Sequence, residues 1–298
     1  MRPSGSSVAD RREVALAFEA IRKDRTHGAS ELSSRALDSI ALLLQGWESR
    51  PPRQGVRAAF RELGRALERA QPAMGSFRRW ANDWQRLGDS RGRHAPLREA
   101  RAWLRDTRRS LANEGPRLVE TCRQHFLEGA RSVVTLSRSS SVLLALASLP
   151  RRLRPARVSV LESLPGGEGR LFVRDLRRAG LLARLVPDRT GPDLVRSADL
   201  LLLGADAVDS DGSVVHKVGT ARLARSAWAA GVPVVVVAGR SKFTERRPGR
   251  RPLPTLFDRT PSRYVSEYWT DFGVRRGRAK EKRLRRSGSN RRPRPRGP

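Results

Sequence analysis

Apolar residues in the first part of the chain recur every three to four positions. The pattern holds from residue 12 to about residue 128, with Pro-, Gly- and Ser-rich stretches between the periodic segments. Such a period places the apolar residues on one face of a helix. It predicts a helical N-terminal domain over residues 12–128, whose last two helices carry Leu97 to Leu111 and Leu118 to Phe126. Residues 1–11 are expected to form a flexible N-terminus.

After residue 130 the pattern changes to short apolar runs rich in β-branched residues. In chain order the runs are SVVTL (132–136), RVSVL (157–161), LLARLV (181–186), DLLLLG (199–204) and VPVVVVAG (232–239). Helix-sized segments separate them, so the order is βαβα, and continuous apolar strands need cover on both faces. This predicts an α/β fold whose second domain, over residues 129–272, is Rossmann-like with a mostly parallel sheet.

Positive charge is concentrated at the C-terminal end. The 298 residues include 61 Lys and Arg against 30 Asp and Glu, a formal net charge of +31. Residues 273–298 carry twelve of the basic residues and one acidic residue, with almost no apolar residues between them. Such a segment cannot bury a core. It is predicted to be a disordered basic tail that contacts RNA or another polyanion in a salt-dependent way.

The composition also excludes several classes of protein. The single Cys cannot form an internal disulfide, and the four His do not stand at the spacing of a metal site. Cys122 occupies the apolar face of a helix and is interpreted as a core residue. No apolar run approaches the roughly 20 residues that a membrane-spanning helix needs, and the N-terminus lacks the apolar stretch of a secretory signal. We expect a cytoplasmic protein with neither cofactor nor metal.

Polar residues of chemical interest follow four of the predicted strands. They are the run Ser137 to Ser141, the pair Glu162-Ser163, Asp206 and Lys242. In a parallel sheet the carboxyl ends of the strands meet at one edge, where ligands bind. The serine run precedes a helix, so its hydroxyls either cap that helix or bind an anion beside the helix dipole. Asp206 is interpreted either as a turn residue or as a carboxyl group that transfers protons.

Two lysines in the α/β half are unusual, because only five of the 61 basic residues are Lys. Lys217 and Lys242 lie near predicted strand ends, and a compact ammonium group suits a phosphate oxygen. The neighbouring His216 is a candidate to hydrogen-bond a ligand hydroxyl. The Gly-rich segment PGGEG (165–169) matches neither phosphate-binding fingerprint and is interpreted as a tight turn.

A resemblance to a known family is carried by the segment LLLGADAVDSDGSVVHKVGTARLARSAWAAGVPVVVVAGRSKF. It is similar to the alpha, beta and delta regulatory subunits of translation initiation factor 2B, and to ribose-1,5-bisphosphate isomerase and methylthioribose-1-phosphate isomerase. The likeness extends back through VSVLESLPGGEGRLFVRDLRRAGL and VVTLSRSSSVLLAL, and more weakly to DRTHGASELSSRAL and ESRPP. It implies a helical domain joined to a Rossmann-like domain of the NagB/RpiA/CoA-transferase-like type, assembled as a homodimer or larger homo-oligomer.

The resemblance also implies roles for individual residues. A Cys and an Asp of the isomerases move the proton of the aldose-to-ketose conversion, and Asp206 matches that Asp. The residues that match the binding site for the phosphorylated sugar are His27, Gly28, Ala29, Arg50, Ser139, Ser140, Ser141, His216, Lys217 and Lys242.

This chain departs from the isomerase pattern at the catalytic thiol. Where the isomerases have Thr-His-Cys, it has Thr135-Leu136-Ser137. A hydroxyl is about seven pKa units harder to ionise than a thiol, a gap of about 10 kcal/mol. Leu164 replaces a usual Arg and His216 replaces an Asn, whereas the SRSS sequence is similar to the regulatory branch.

Three functions remain open at the level of the sequence. The first is a regulatory protein of the initiation factor 2B type that binds a phosphorylated sugar or nucleotide without isomerising it. The second is an aldose-ketose isomerase of ribose-1,5-bisphosphate or a related sugar phosphate, in which Asp206 with Ser137 or a water transfers the proton. The third is an RNA- or ribosome-associated basic protein. The missing thiol favours the first over the second, and the separable tail argues against the third as the main function.

Overall fold

The helical pattern of the sequence is present in the computed structural model, which describes residues 6–24, 27–52, 54–89, 96–126, 129–245 and 253–279. Prolines, glycines and short loops separate the first five helices. The prediction of a flexible segment over residues 1–11 is wrong from Ser6 onward, since the first helix begins there. The helices are α1 (Ser6–Lys23), α2 (Ala29–Ser49), α3 (Val56–Ala70), α4 (Gly75–Asp89) and α5 (Pro96–His125).

Two helices that the sequence predicts separately are one. α5 continues through Pro116 in its interior. Its first half contributes Ala100 to the core of the helical part, whereas Leu118 and Cys122 from its second half lie in the core of the α/β part. The helix therefore belongs to both cores and joins them. Cys122 is fully buried, as expected of a core residue, and burial raises the pKa of its thiol to about 12.

Aromatic rings fill the centre of the helical core. Phe60 packs edge-on against Trp84 with ring centroids 4.8 Å apart, and Trp84 packs against Trp103 at 5.2 Å. Such pairs add about 0.5–1.5 kcal/mol each to the free energy gained by burying apolar area. They hold α3, α4 and α5 together, and α4 is the helix that reaches the site described below.

No helix among the described residues is long and apolar enough to cross a membrane.

The α/β part contains two sheets. Its elements are, in chain order, β1 (Ser132–Leu136), α6 (Ser140–Ala147), β2 (Arg157–Leu161), α7 (Glu168–Arg178), β3 (Ala183–Val186), α8 (Gly191–Arg196), β4 (Leu200–Leu203), β5 (Ala207–Val208), β6 (Val214–Lys217), α9 (Thr220–Ala229), β7 (Val234–Val237), β8 (Phe257–Thr260), β9 (Glu267–Thr270) and β10 (Gly273–Arg276).

The main sheet confirms the predicted fold class. Its seven strands lie in the order β10-β9-β7-β4-β1-β2-β3, and every pairing is parallel except that of β10 with β9. β1 occupies a central position, with β2 on one side and β4 on the other. All four residues of β4 and of β7 are buried, because helices cover both faces. The strand ends that carry polar residues therefore meet at one edge, as expected.

The predicted start of the basic tail is wrong. Residues Gly273–Arg276 form β10, which pairs with β9 at the edge of the main sheet. Basic composition did not prevent this, since Arg275 and Arg276 are exposed and charged side chains are common on edge strands. The prediction of a disordered tail beyond Ala279 falls outside the residues that the structure describes.

A small antiparallel sheet of strands β5, β6 and β8 was not predicted. Its strands have only two to four residues, too few to show an alternating pattern. The sheet nevertheless decides where two candidate site residues lie, because His216 and Lys217 are the last residues of β6.

Candidate functional site

A cavity of about 340 Å³ lies where the helical part meets the carboxyl ends of β1 and β4. The structure brings together residues from eight separate stretches of the chain here. Of the predicted site residues, those that line the cavity are His27, Gly28, Ala29, Ser137, Ser139, Ser140, Ser141, Asp206, His216, Lys217 and Lys242.

Arg50 is the predicted site residue that the structure does not bring to this cavity. It caps the carboxyl end of α2, where its backbone N–H donates to the carbonyl oxygen of Gly46. Its side chain is exposed and is not part of the cavity lining. A role for Arg50 in binding a ligand of this cavity is therefore not supported by its position.

The serine run turns sharply from β1 into α6. Ser137 has a φ of +62°, in the left-handed region, and its backbone N–H donates to Oγ of Ser163 at 2.7 Å. The hydroxyl of Ser139 accepts from the N–H of Val142 at 3.3 Å, so Ser139 caps α6. The capping interpretation therefore holds for Ser139. The same turn places the amino end of α6 at the cavity, where the N–H groups of its first turn and the helix dipole favour an anion.

Asp206 and Lys242 are groups of opposite charge that face the same cavity. The Lys242 side chain is buried, with the residue only 5% exposed, and its ammonium makes no hydrogen bond or ion pair with any described residue. Burial lowers the pKa of Lys242, while the nearby Asp206 and Glu114 carboxyl groups oppose that shift. Burial raises the pKa of Asp206, and the charges of Lys242 and Lys217 oppose it. Both side chains keep their hydrogen-bonding capacity for a ligand.

The short turn that carries Lys242 is anchored on two sides. Glu114 of α5 accepts from the backbone N–H of Ser241 at 2.7 Å and from its hydroxyl at 2.9 Å. On the other side the N–H of Arg240 donates to the Asp271 carboxylate at 2.6 Å. A backbone held in this way fixes the Lys242 ammonium at the cavity, so that little ordering is needed when a ligand binds.

The amino end of α4 rests directly on the site. The N–H of Gly75 donates to the carbonyl oxygen of Asp206 at 2.8 Å. A Cβ at position 75 would lie 2.3 Å from the carbonyl oxygen of Lys242, well inside contact distance. Only glycine therefore allows α4 to approach the backbones of Asp206 and Lys242 this closely.

The imidazole ring of His216 lines the cavity and is uncharged. Burial lowers the pKa of its imidazole to about 3, against the opposing effect of a hydrogen bond with the backbone of Gly204. The ring is therefore neutral near pH 7. Its Nε2 atom has no partner among the described residues. A neutral ring nitrogen with no partner is suited to bind a hydroxyl rather than a phosphate.

A family model called the initiation factor 2 subunit family matches residues 25–253 of the chain. The chain belongs to the initiation factor 2 subunit family. This confirms the resemblance that the strand-end motifs indicated.

Two relatives and one solved structure show how the family members compare with this one. The eIF-2B subunit 2-like protein of Pyrococcus furiosus is 25% identical, over 88% of this chain and 96% of its own length. The ribose 1,5-bisphosphate isomerase of Archaeoglobus fulgidus is 24% identical, over 88% of this chain and 89% of its own. The structure of the Pyrococcus horikoshii translation initiation factor eIF-2B superposes with a TM-score of 0.72 at 24% identity, covering 88% and 96% of the two chains. That structural match confirms the fold.

In this member of the initiation factor 2 subunit family, Lys217 is already paired. Its ammonium contacts Oε1 of Glu168, the first residue of α7, and the Phe257 ring lies 5.6 Å away. Glu168 comes from the PGGEG segment, which the sequence indicated only as a tight turn. It lines the cavity, and its Oε2 atom has no partner among the described residues. An acidic residue in the first turn of a helix was the available signal, but its partner lies 49 positions away.

No group of three or more His, Cys, Asp or Glu in the described part of the chain is arranged to hold a metal ion. The charged groups of this family member's cavity are instead carboxyl groups together with ammonium and guanidinium groups. Such a set fits an anionic ligand that also carries hydroxyl groups.

The Glu168→Gln variant is expected to bind ribose-1,5-bisphosphate about fivefold more tightly. The change removes a negative charge from the cavity and releases Lys217 to a phosphate oxygen, a gain of about 1 kcal/mol. Titration calorimetry at fixed salt measures the dissociation constant. Glu162→Gln is the matched control, because Glu162 pairs with Arg170 outside the cavity lining. Equal or weaker binding by Glu168→Gln would show that Lys217 needs Glu168 to reach the ligand.

Proposed function

We propose that this protein binds a phosphorylated sugar in the cavity at the strand ends and does not isomerise it. The observation that carries the proposal is the buried Lys242 ammonium, which lies beside Asp206 in the cavity without an ion-pair partner among the described residues. An unpaired buried charge is costly, and an anionic ligand offsets that cost. The amino end of α6 supplies a second group that favours an anion on the same wall.

The sugar part of the ligand is supported by the uncharged and acidic groups of the cavity. The neutral His216 ring and the Asp206 carboxyl group are suited to hydroxyls, which both donate and accept hydrogen bonds. The volume of about 340 Å³ lies at the lower end of the range for small-molecule sites. One relative is named for a sugar bisphosphate, ribose 1,5-bisphosphate, and that compound is the natural first probe.

The proposal that no isomerisation occurs rests on Ser137. Its hydroxyl replaces the thiol at the carboxyl end of β1, and no described residue accepts a hydrogen bond from it as a base would. Because the pKa values differ by about seven units, ionising the hydroxyl costs about 10 kcal/mol more than ionising a thiol. The protein therefore acts as a sensor or regulatory subunit, in line with its eIF-2B-like relatives. Assembly into a homodimer or larger homo-oligomer is part of this proposal.

Phosphorus NMR on the full chain tests binding and conversion in one sample. Ribose-1,5-bisphosphate is titrated in about 0.2 M salt, which suppresses loose anion binding. We expect saturable broadening of both phosphate signals without new signals. Appearance of ribulose-1,5-bisphosphate would establish an isomerase and overturn the argument from Ser137. Absence of both effects would reject the sugar phosphate, and a nucleotide would then be the next probe.

Isomerase activity is the second candidate, and the position of Asp206 favours it. Burial raises the pKa of this carboxyl group, and a carboxyl group with a raised pKa is a better proton acceptor once ionised. The Ser137→Cys variant is expected to convert ribose-1,5-bisphosphate faster than the wild type, because a thiol is a few per cent ionised at pH 7. Ser141→Cys, a thiol elsewhere on the same turn, is the control. If Ser137→Cys binds normally without turnover, more than the thiol has been lost.

A further inference from the structure

A second concave surface, here called the basic groove, lies at the amino ends of β1, β2 and β3. It has a volume of about 830 Å³ and is defined by Arg131, Arg157, Arg177, Arg184 and Leu182. Parallel pairing of Ser132 with Arg157, and of Val158 with Ala183, brings these residues together. Because the cavity lies at the carboxyl ends of the strands, the basic groove is at the opposite edge of the same sheet.

The guanidinium groups of the basic groove are available to a ligand. The side chains of Arg131 and Arg157 make no hydrogen bond or ion pair with any described residue. Arg177 and Arg184 each donate only Nε to the protein, to the carbonyl oxygen of Ala183 at 2.9 Å and to Oγ of Ser159 at 3.0 Å. These two bonds orient the side chains and leave the terminal nitrogens free of protein contacts in the described structure. A guanidinium held in this way matches a phosphate group with two parallel hydrogen bonds.

The described residues that line the basic groove include none that is acidic. Asp199 lies beside the groove. Burial raises the pKa of its carboxyl group, but the N–H groups and hydroxyl around it and the charge of Arg131 outweigh that effect and hold the pKa below its ordinary value. Its Oδ2 atom already accepts from the N–H groups of Arg131 and Ser132 and from the Ser132 hydroxyl, at 2.8–2.9 Å. Asp199 is thus bound to the backbone and does not neutralise the four arginine side chains as a group.

Leu182 distinguishes this groove from a simple patch of charge. It is 74% exposed, the highest fraction among the large apolar residues that the structure describes, and it lies among the arginines. A partner that covers this side chain removes its apolar surface from water, which favours binding. A partner with both anionic groups and flat apolar faces would satisfy the whole groove, and single-stranded nucleic acid has both.

We propose that the basic groove binds single-stranded RNA, with the arginines on consecutive phosphates and Leu182 against a base. The groove is concave and lies at the edge of the sheet. This shape suits a single strand of nucleic acid better than a partner with a flat surface. Binding here is independent of the cavity, because the two lie at opposite ends of the parallel strands. It is also independent of the residues beyond Ala279, whose polyanion contacts would not require a groove.

The test compares two double variants of the full chain. Arg131→Ala with Arg157→Ala removes two charges from the groove, and neither side chain hydrogen-bonds to a described residue. Arg222→Ala with Arg225→Ala removes two charges from the exposed side of α9, outside every described cavity. Fluorescence anisotropy with a labelled 12-nucleotide RNA gives the dissociation constant between 50 and 200 mM salt. All variants keep the basic C-terminal residues, so a difference in dissociation constant between them is not due to those residues.

The groove variant is expected to bind RNA about tenfold more weakly, and its salt slope should fall by about 1.4, or about 0.7 for each lost phosphate contact. The control should stay within twofold of the wild type. Equal losses in the two variants would overturn the proposal in favour of general charge attraction. Circular dichroism melting confirms that both variants are folded.

A third variant separates base contact from charge. Leu182→Ser leaves every arginine in place, so binding of inorganic polyphosphate should not change. Binding of the RNA should weaken about threefold, because an apolar contact with a base is lost. If RNA and polyphosphate respond alike, the groove is a polyanion site without base contact, and the RNA proposal is overturned.

Discussion

Replacing Lys242 by Ala is expected to weaken the binding of ribose-1,5-bisphosphate about ten- to hundredfold. The ammonium group is buried at the cavity and makes no ion pair with the described residues, so the ligand phosphate is its proposed partner. A charge-assisted hydrogen bond of this kind is worth about 1.5–3 kcal/mol. The loss should be larger than that for any exposed cation, because the low dielectric of a buried site strengthens the contact. Titration calorimetry with the full chain measures it.

Arg240→Ala is the matched control for this variant. Arg240 belongs to the same turn and carries the same charge, but its side chain is exposed and packs over the Phe272 ring at 4.9 Å. Removing it tests the general effect of charge and of a change in the turn. Unchanged affinity in Lys242→Ala, or an equal loss in both variants, would reject the cavity as the phosphate site.

Gly75→Ala is expected to weaken binding about tenfold without removing any polar side chain. The new Cβ would lie 2.3 Å from the Lys242 carbonyl oxygen, and two backbones must move apart to accommodate it. Overpacking of this kind typically costs about 1–3 kcal/mol. The displaced backbones are those of Asp206 and Lys242, because Gly75 also donates a hydrogen bond to the Asp206 carbonyl oxygen. Calorimetry and thermal unfolding on the same samples separate affinity from stability.

Gly115→Ala controls for the general effect of adding a methyl group to a helical glycine. A Cβ there would meet only the Leu144 side chain, at an ordinary 3.5 Å. Gly115 lies outside the cavity lining, so this change should leave ligand binding unaltered. Wild-type affinity in Gly75→Ala would show that α4 does not position the site.

These two variants address different parts of the same arrangement. Lys242 is the proposed direct contact with the ligand, whereas Gly75 is expected to act through the backbones that carry Lys242 and Asp206. α4 therefore contributes to the site through the close approach of its backbone rather than through a side chain. A ligand that binds between the two parts would couple their relative position to its presence.

Local patterns of the sequence were enough to predict most of the fold. The period of 3.6 residues and the apolar runs located helices and the parallel strands, because burial imposes those patterns within a few residues of chain. Elements that lack such a pattern were missed. β5 has two residues, and β10 consists largely of basic and small residues at a sheet edge. α5 continues through Pro116, where local propensity predicts a break.

The sequence by itself determined the α/β class, the family and most residue types of the cavity, because strand-end motifs are contiguous in the chain. The tertiary structure alone decided which of those residues are free to act. It pairs Lys217 with Glu168 across 49 positions, leaves Lys242 without an ion pair among the described residues, and keeps Arg50 away from the cavity. Charge pairing and burial depend on contacts between distant segments, and no local pattern of residues contains them.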